Sequence, residues 1–252
     1  MIGGQLVEFP RGVADERGRR AVVHDRHGTL IALRLVDGTE LWRHGRELRP
    51  LAVLDRVVVA LRVGTQAPAA AVVVLDVDDG GERWTSPPLP LPDWVRPTPD
   101  DTPAFTLHTE ALGPDRLALR WVARSWYGGG APPDRERLAE QTREARGGIL
   151  VDLTGPSPEV SSGLPDAEQA NREPPNAEPP EPGPLESASA GQPPLAPDVV
   201  RAARVGDLRM ELAVGPHTGA VLLRAVDVRT DSTRWEVELD ATTARRPPRL
   251  RP

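Results

Sequence analysis

The chain of 252 residues contains no cysteine. Disulfides, thiolate metal sites and cysteine nucleophiles are therefore excluded, and nothing in the chain requires an oxidising compartment. Lysine is missing as well. All 31 basic residues are arginine, a usage that reads as the codon bias of a GC-rich genome rather than as phosphate recognition. Aromatics are scarce, at six Trp, one Tyr and two Phe, whereas there are 29 Pro and 23 Gly, so many short elements joined by turns are expected in place of long helices. No uninterrupted apolar run reaches the ~18 residues of a membrane helix. The opening MIGGQLVEFPRG lacks the basic start and apolar run of a secretion signal. The expectation is a cytoplasmic protein without a membrane segment.

Charge is unevenly placed. Residues 155–199 hold eight of the 37 acids and only Arg172 of the 31 bases, so the remainder is close to neutral and has no field suited to nucleic acid. The same segment carries 12 prolines and too little apolar surface to offset its ordering entropy, so it is expected to be disordered. The end of the chain, 241–252, reads as a basic, Pro-rich tail that could attract nucleic acid, an acidic partner or this acidic loop.

Three stretches end in tryptophan and superimpose without gaps: Ala32-Leu-Arg34-Leu-Val-Asp37-Gly38-Thr-Glu-Leu-Trp42, Val74-Leu-Asp76-Val-Asp-Asp79-Gly80-Gly-Glu-Arg-Trp84 and Ala225-Val-Asp227-Val-Arg-Thr230-Asp231-Ser-Thr-Arg-Trp235. Upstream, an Asp introduces an apolar strand in each copy. The separations from Asp15 to Trp42, Asp55 to Trp84 and Asp207 to Trp235 are 27, 29 and 28 residues, a constancy that marks an internal repeat. A fourth copy runs from Asp115 through Leu150-Val-Asp152-Leu-Thr-Gly155, and its Trp position falls on Val160. It is about 16 residues too long. Residues 132–147 supply that excess and have Pro at the start, Gly at the end and helix formers between, so an inserted surface helix is expected. Within each copy, alternation at period two broken by Asp-Gly pairs predicts antiparallel hairpins of three or four strands.

The pattern Ala-x-Asp-x-x-Thr-Gly-x-x-x-Trp resembles the tryptophan-docking repeat of the PQQ-like, quinoprotein-type β-propellers, a family that includes BamB-like assembly factors. Ala225, Asp227, Thr230 and Trp235 match it with Asp231 in the glycine place. Asp76, Gly80 and Trp84 match in the second copy, and Ala32, Gly38 and Trp42 in the first, with Arg34 in the Asp place. The resemblance implies an all-β propeller or partial propeller of four blades in one domain, 1–240. The repeats fall at about 13–45, 50–85, 105–160 and 201–240, with a Pro-rich connector at 85–104. It also implies a structural, blade-docking role for Trp42, Trp84 and Trp235, with Gly38, Gly80, Asp76 and Asp227 shaping the turns. The family normally has seven or eight blades. Four must close on themselves or be completed by another chain.

No catalytic constellation emerges. Quinone enzymes of the family hold their cofactor against a floor Trp and a vicinal disulfide, beside an ion bound by carboxylate and amide oxygens. This chain has no Cys, and its two asparagines, Asn171 and Asn176, lie in the acidic segment. No cofactor, metal or catalytic residue is expected. The close pair His24 and His27 reads as surface histidines, since its spacing on a strand sends the two rings to opposite faces. Exposed aromatics beside arginine are what binding hot spots use, so Arg124, Trp126, Tyr127 and Trp94 are the candidate partner contacts. The reading is a non-catalytic protein-interaction scaffold, with a protein partner or self-association. The alternative is a small-ligand or sugar-binding protein that uses a central pocket.

Overall fold

The computed structural model describes residues 7–64, 70–89, 91–125, 143–155, 158–163, 198–215 and 220–240. Four sheets, each built from consecutive antiparallel strands, account for the fold. Blade 1 comprises β1 (Val7–Phe9), β2 (Gly12–Ala14), β3 (Arg20–His24), β4 (Leu30–Arg34) and β5 (Glu40–His44). Blade 2 comprises β6 (Leu48–Val53), β7 (Val57–Arg62), β8 (Ala71–Asp76) and β9 (Glu82–Thr85). Blade 3 comprises β10 (Phe105–Gly113), β11 (Arg116–Ser125), β12 (Arg143–Asp152) and β13 (Glu159–Ser162). Blade 4 comprises β14 (Val199–Val205), β15 (Leu208–Val214), β16 (Val221–Asp227) and β17 (Thr233–Glu238).

Alternation decides which blades touch. Along β4, Leu30 and Ala32 point to one side and join a buried cluster with Val58, Val73 and Leu75 of blade 2. Ile31 and Leu33 point to the other and join Met210, Leu223 and Ala225 of blade 4. Because both faces of blade 1 are covered, β4 is a continuous apolar run rather than an alternating one. A third cluster joins Val59, Leu61 and Val72 of blade 2 to Leu117, Leu119 and Val151 of blade 3. The spatial order is therefore 4–1–2–3. The chain's neighbours 3 and 4 stand at the two ends of the array, and among the described residues no buried cluster joins them.

Blade 1 has one strand more than its neighbours. The extra strand, β1, lies innermost and touches β14 of blade 4.

Three expectations are corrected. Residues 143–147, the last part of the anticipated helix, open β12 and pair with β11, while 132–142 lie outside the described residues. Gly147, expected to end that helix, is a strand residue opposite Trp121. A Cβ there would stand 2.5 Å from the Trp121 ring, so the glycine makes room for an indole. Much of the extra length of the third copy goes into β11 and β12, each of ten residues.

The acidic segment is ordered at both ends. Glu159–Ser162 pair with β12 as β13, and Asp198 and Val199 lead into blade 4. Residues 164–197 lie outside the described residues. The connector is not a free polyproline strand either, because Leu89 and Val95 are buried in the cluster between blades 2 and 3.

Candidate functional site: blade fasteners and the cavity they frame

Each of the three superimposable turns ends in a β-bulge next to its tryptophan. Ala32 pairs with Trp42 while Leu33 pairs with Glu40, leaving Leu41 unmatched. The same slip leaves Arg83 unmatched before Trp84 and Arg234 before Trp235. A bulge moves the following side chain to the other face. Trp42 is thereby aimed at blade 2 and Trp235 at blade 1.

Both indoles land on a glycine. The Trp42 ring covers Gly80, where a Cβ would fall 2.7 Å from Cε3, and the Trp235 ring covers Gly38, with Cδ2 at 2.7 Å. These glycines have φ of 73° and 72°, the left-handed region that L side chains rarely adopt. The Trp42 Nε1–H donates to the Val77 carbonyl at 3.0 Å, and Trp235 Nε1–H donates to the Leu35 carbonyl at 2.7 Å. Each fastener thus joins an indole, a glycine and a carbonyl of the next blade. Trp84 is half-buried against the cluster between blades 2 and 3, with no such bond from its indole among the described residues.

The turns themselves are held by carboxylates. Asp76 accepts the Asp78 amide at 2.7 Å and the guanidinium of the bulged Arg83, Nε at 3.0 Å. Its carboxyl is held below the usual range by the Asp78 amide first and by Arg83 second. Asp227 accepts the Arg229 and Thr230 amides at 2.8 and 3.1 Å and the bulged Arg234, Nε at 3.0 Å. Arg234, with those amides, holds Asp227 down at about 2. In blade 1 both partners differ together. Arg34 stands in the Asp place, Leu41 in the bulge, and Asp37 takes over by accepting the Thr39 amide at 3.0 Å and Arg34 at 3.2 Å. Sequence reading missed Arg83 and Arg234, although the Arg-Trp dipeptide recurs in two copies.

The fourth copy corrects another expectation. Blade 3 has no bulge at this place. Val160 pairs with Val151 and packs inward on the cluster shared with blade 2. The exposed Ser161, opposite Leu150, occupies the docking position. Without the bulge the register is one residue off, and a one-residue slip exchanges the faces.

The recurrent upstream Asp lies at the turn between the first two strands of the four-stranded blades and between β2 and β3 of blade 1. Asp15, Asp55, Asp115 and Asp207 all border one cavity of about 2230 Å³ that is lined by every blade. Asp15 accepts the Arg19 and Arg20 amides at 2.6 and 3.0 Å. Asp207 pairs with Arg229 at 3.2 Å. Arg20 reaches Asp78 across the junction of blades 1 and 2 at 2.8 Å. Glu16, Arg17, Asp55, Arg56 and Asp115 line the same space.

A second polar cluster gathers about β1, where the connector is tied down. Asp100 lies 3.4 Å from Arg11 and 3.5 Å from His24 Nε2. Asp101 accepts Arg49 at 2.7 Å and the Leu107 amide at 3.0 Å. His24 is 2% exposed, so the surface reading holds only for His27. Burial pushes His24 below its ordinary value. Glu8 moves the other way, raised by burial despite His108 and Arg49 nearby.

Of the proposed partner contacts, Arg124 pairs with Glu144 on the face of blade 3 at 2.9 Å, and Trp94 packs on the cluster between blades 2 and 3. Trp126 and Tyr127 lie outside the described residues. Among the described residues no group of acids and histidines is placed to hold a metal ion, and no helix is long and apolar enough to cross a membrane.

Residues 9–92, blades 1 and 2 with the start of the connector, match a family model described as outer membrane protein assembly factor BamB. The match covers 84 of the 252 residues and makes these two blades similar to the repeats of that family. Among solved structures the chain is similar to BamB from Moraxella catarrhalis, with 14% identity over 93% of this chain and 65% of that one, at a TM-score of 0.33. The chain thus spans about two thirds of the length of that structure. No curated protein matches.

Proposed function

We propose that the chain is a non-catalytic PQQ-like scaffold that holds a protein partner at the cavity where the turns of its four blades meet. The observation that carries this reading is the size and lining of the cavity. Small-molecule pockets run to roughly 1,000 Å³, and this one is about 2230 Å³. Its walls alternate apolar side chains such as Leu54, Val57 and Trp84 with charges of both signs, the mixture of a wet protein interface. The description of the matching family model as an assembly factor supports a role in handling other proteins. Trp42 and Trp235 serve in this reading as structural fasteners that keep the frame rigid, and Trp84 adds packing at the junction of blades 2 and 3.

The test compares the full chain with Arg17→Glu/Arg56→Glu, a cavity variant, and Arg201→Glu, an exposed position on blade 4. Each is used for affinity capture from a lysate of the source organism, followed by light scattering. A stoichiometric protein that binds wild type and Arg201→Glu but not the cavity variant is the expected result. A strict monomer with no partner that depends on the cavity would overturn the proposal. The second reading, a small ligand, is favoured by one feature, the convergence of Asp55, Asp115 and Arg56 on that space. Native mass spectrometry showing a bound metabolite, lost in the same variant, would put it first.

A further inference from the structure

Among the described residues, the junction between blades 3 and 4 lacks every part of the fastener. Where Trp42 and Trp235 stand in their blades, blade 3 has Ser161, and the bulge that would aim a side chain at blade 4 is missing. Where Gly38 and Gly80 receive those rings, blade 4 has Asp231, which keeps the left-handed φ of 52°. An indole meets a Cβ at that place at about 2.7 Å, as it would on Gly38 or Gly80, so Asp231 forbids docking. Its carboxylate is held there by Arg209 at 2.7 Å. The residue that bears the accepting carbonyl tells the same story: Leu35 is 0% and Val77 5% exposed, but the equivalent Val228 is 37% exposed.

The outward faces of the two end blades also differ from the faces that stack. Blade 3 presents Glu110 with Arg120 at 3.3 Å, and Glu144 with Arg124 at 2.9 Å and Arg146 at 2.7 Å. Blade 4 presents Arg224 with Glu236, whereas its Arg209–Glu211 pair at 2.6 Å is largely buried. Ladders of paired charge are how the terminal units of a repeat array stay soluble. The inner edges are nonetheless held. β1 touches β14 of blade 4, and its Glu8 lies close enough to His108 of β10 to feel that side chain's charge.

We infer that blades 3 and 4 part about β1, and that this unfastened seam is the opening through which the cavity is entered. The cavity spans it, being lined by Leu153, Gly155 and Pro158 on one side and by Gly206, Asp207 and Arg234 on the other. The inference concerns the seam alone and stands whether or not a protein partner is the occupant.

The absence of native cysteine makes spin labelling clean. In the full chain, labels at Glu159→Cys and Arg229→Cys report on the seam, and labels at Val36→Cys and Arg229→Cys report on the fastened junction of blades 4 and 1. Double electron–electron resonance is expected to give a distance distribution at least twice as wide for the first pair as for the second. Equal, narrow distributions would overturn the inference. Thermal melting of both pairs, within about 2 °C of wild type, establishes that each variant is folded. If a label disturbs folding, Asp152→Cys and Thr230→Cys replace Glu159 and Arg229.

Discussion

The Trp42 indole rests on Gly80 of the next blade and donates its N–H to Val77 three residues earlier, so one side chain is both a packing surface and a hydrogen-bond donor across the junction. Trp235 repeats the relationship with Gly38 and Leu35. The glycine is needed twice over in each case, for its left-handed φ and for the absence of a Cβ. Gly80→Ala and Gly38→Ala are expected to cost about 2–4 kcal/mol, the sum of left-handed strain and overpacking. Gly18, at φ 61° with nothing within 4 Å of its Cβ position, isolates the first part. Gly18→Ala is expected to cost about 1–2 kcal/mol. Urea unfolding of the three variants measures the difference, and equal losses would mean that the indole contact adds nothing.

The three tryptophans are predicted to differ when only the N–H is removed. Trp42→Phe and Trp235→Phe leave a buried carbonyl unpaired, at about 1–3 kcal/mol, in addition to lost ring area. Trp84→Phe has no such bond to lose among the described residues and is expected to cost about 1 kcal/mol less than either. Chemical denaturation separates them. A Trp84 variant as unstable as the Trp42 variant would show that its indole makes an equivalent bond.

How far the sequence showed this fold depends on where the signal was local. The Asp-Gly turns and the strands before them were legible because period-two alternation and left-handed turn residues act over a few positions. The order 4–1–2–3 was not legible, since it depends on which face of each strand finds a partner. The bulge before each Trp was likewise hidden, although the Arg at the bulge was visible as Arg83 and Arg234. Reading Val160 as the missing Trp counted residues correctly and faces wrongly, because the count ignores the bulge. His24 was misread for a related reason: its ring meets the connector's Asp100, 76 positions away in the chain, a contact that local spacing does not show.

Acid should weaken the fold in two separate steps. His24 is held below its ordinary value of 6.5 by burial. The unfolded chain therefore takes up the proton more readily, and stability is lost as pH falls through the region of 6.5. Asp227, held at about 2 against an ordinary 3.8, contributes stability above 3.8 that is lost between there and about 2. Glu8, raised by burial, has the opposite sign, since its folded form favours the proton and its charge weakens the fold near neutrality. Unfolding free energies measured at pH 8, 5.5 and 3 should fall at each interval for wild type. His24→Gln should remove the first loss and Asp227→Asn the second, while Glu8→Gln should raise stability at pH 8. A His24→Gln variant that still loses stability between pH 8 and 5.5 would assign that step elsewhere.

The connector is predicted to be a structural strap whose removal opens the junction of blades 2 and 3. Val95 is 1% exposed within their shared cluster, so Val95→Ala removes two buried methyl groups and leaves a cavity, a loss of about 1–3 kcal/mol. Asp101 closes the strap's far end by accepting both Arg49 of β6 and the Leu107 amide of β10. Asp101→Ala orphans those two donors and is expected to cost about 2–4 kcal/mol. Both substitutions act on one junction through one strap, so their effects should not add. The double variant is expected to fall short of the sum by about 0.5 kcal/mol or more. A double-mutant cycle by urea denaturation measures this coupling directly, and strict additivity would mean that the two ends of the connector dock independently.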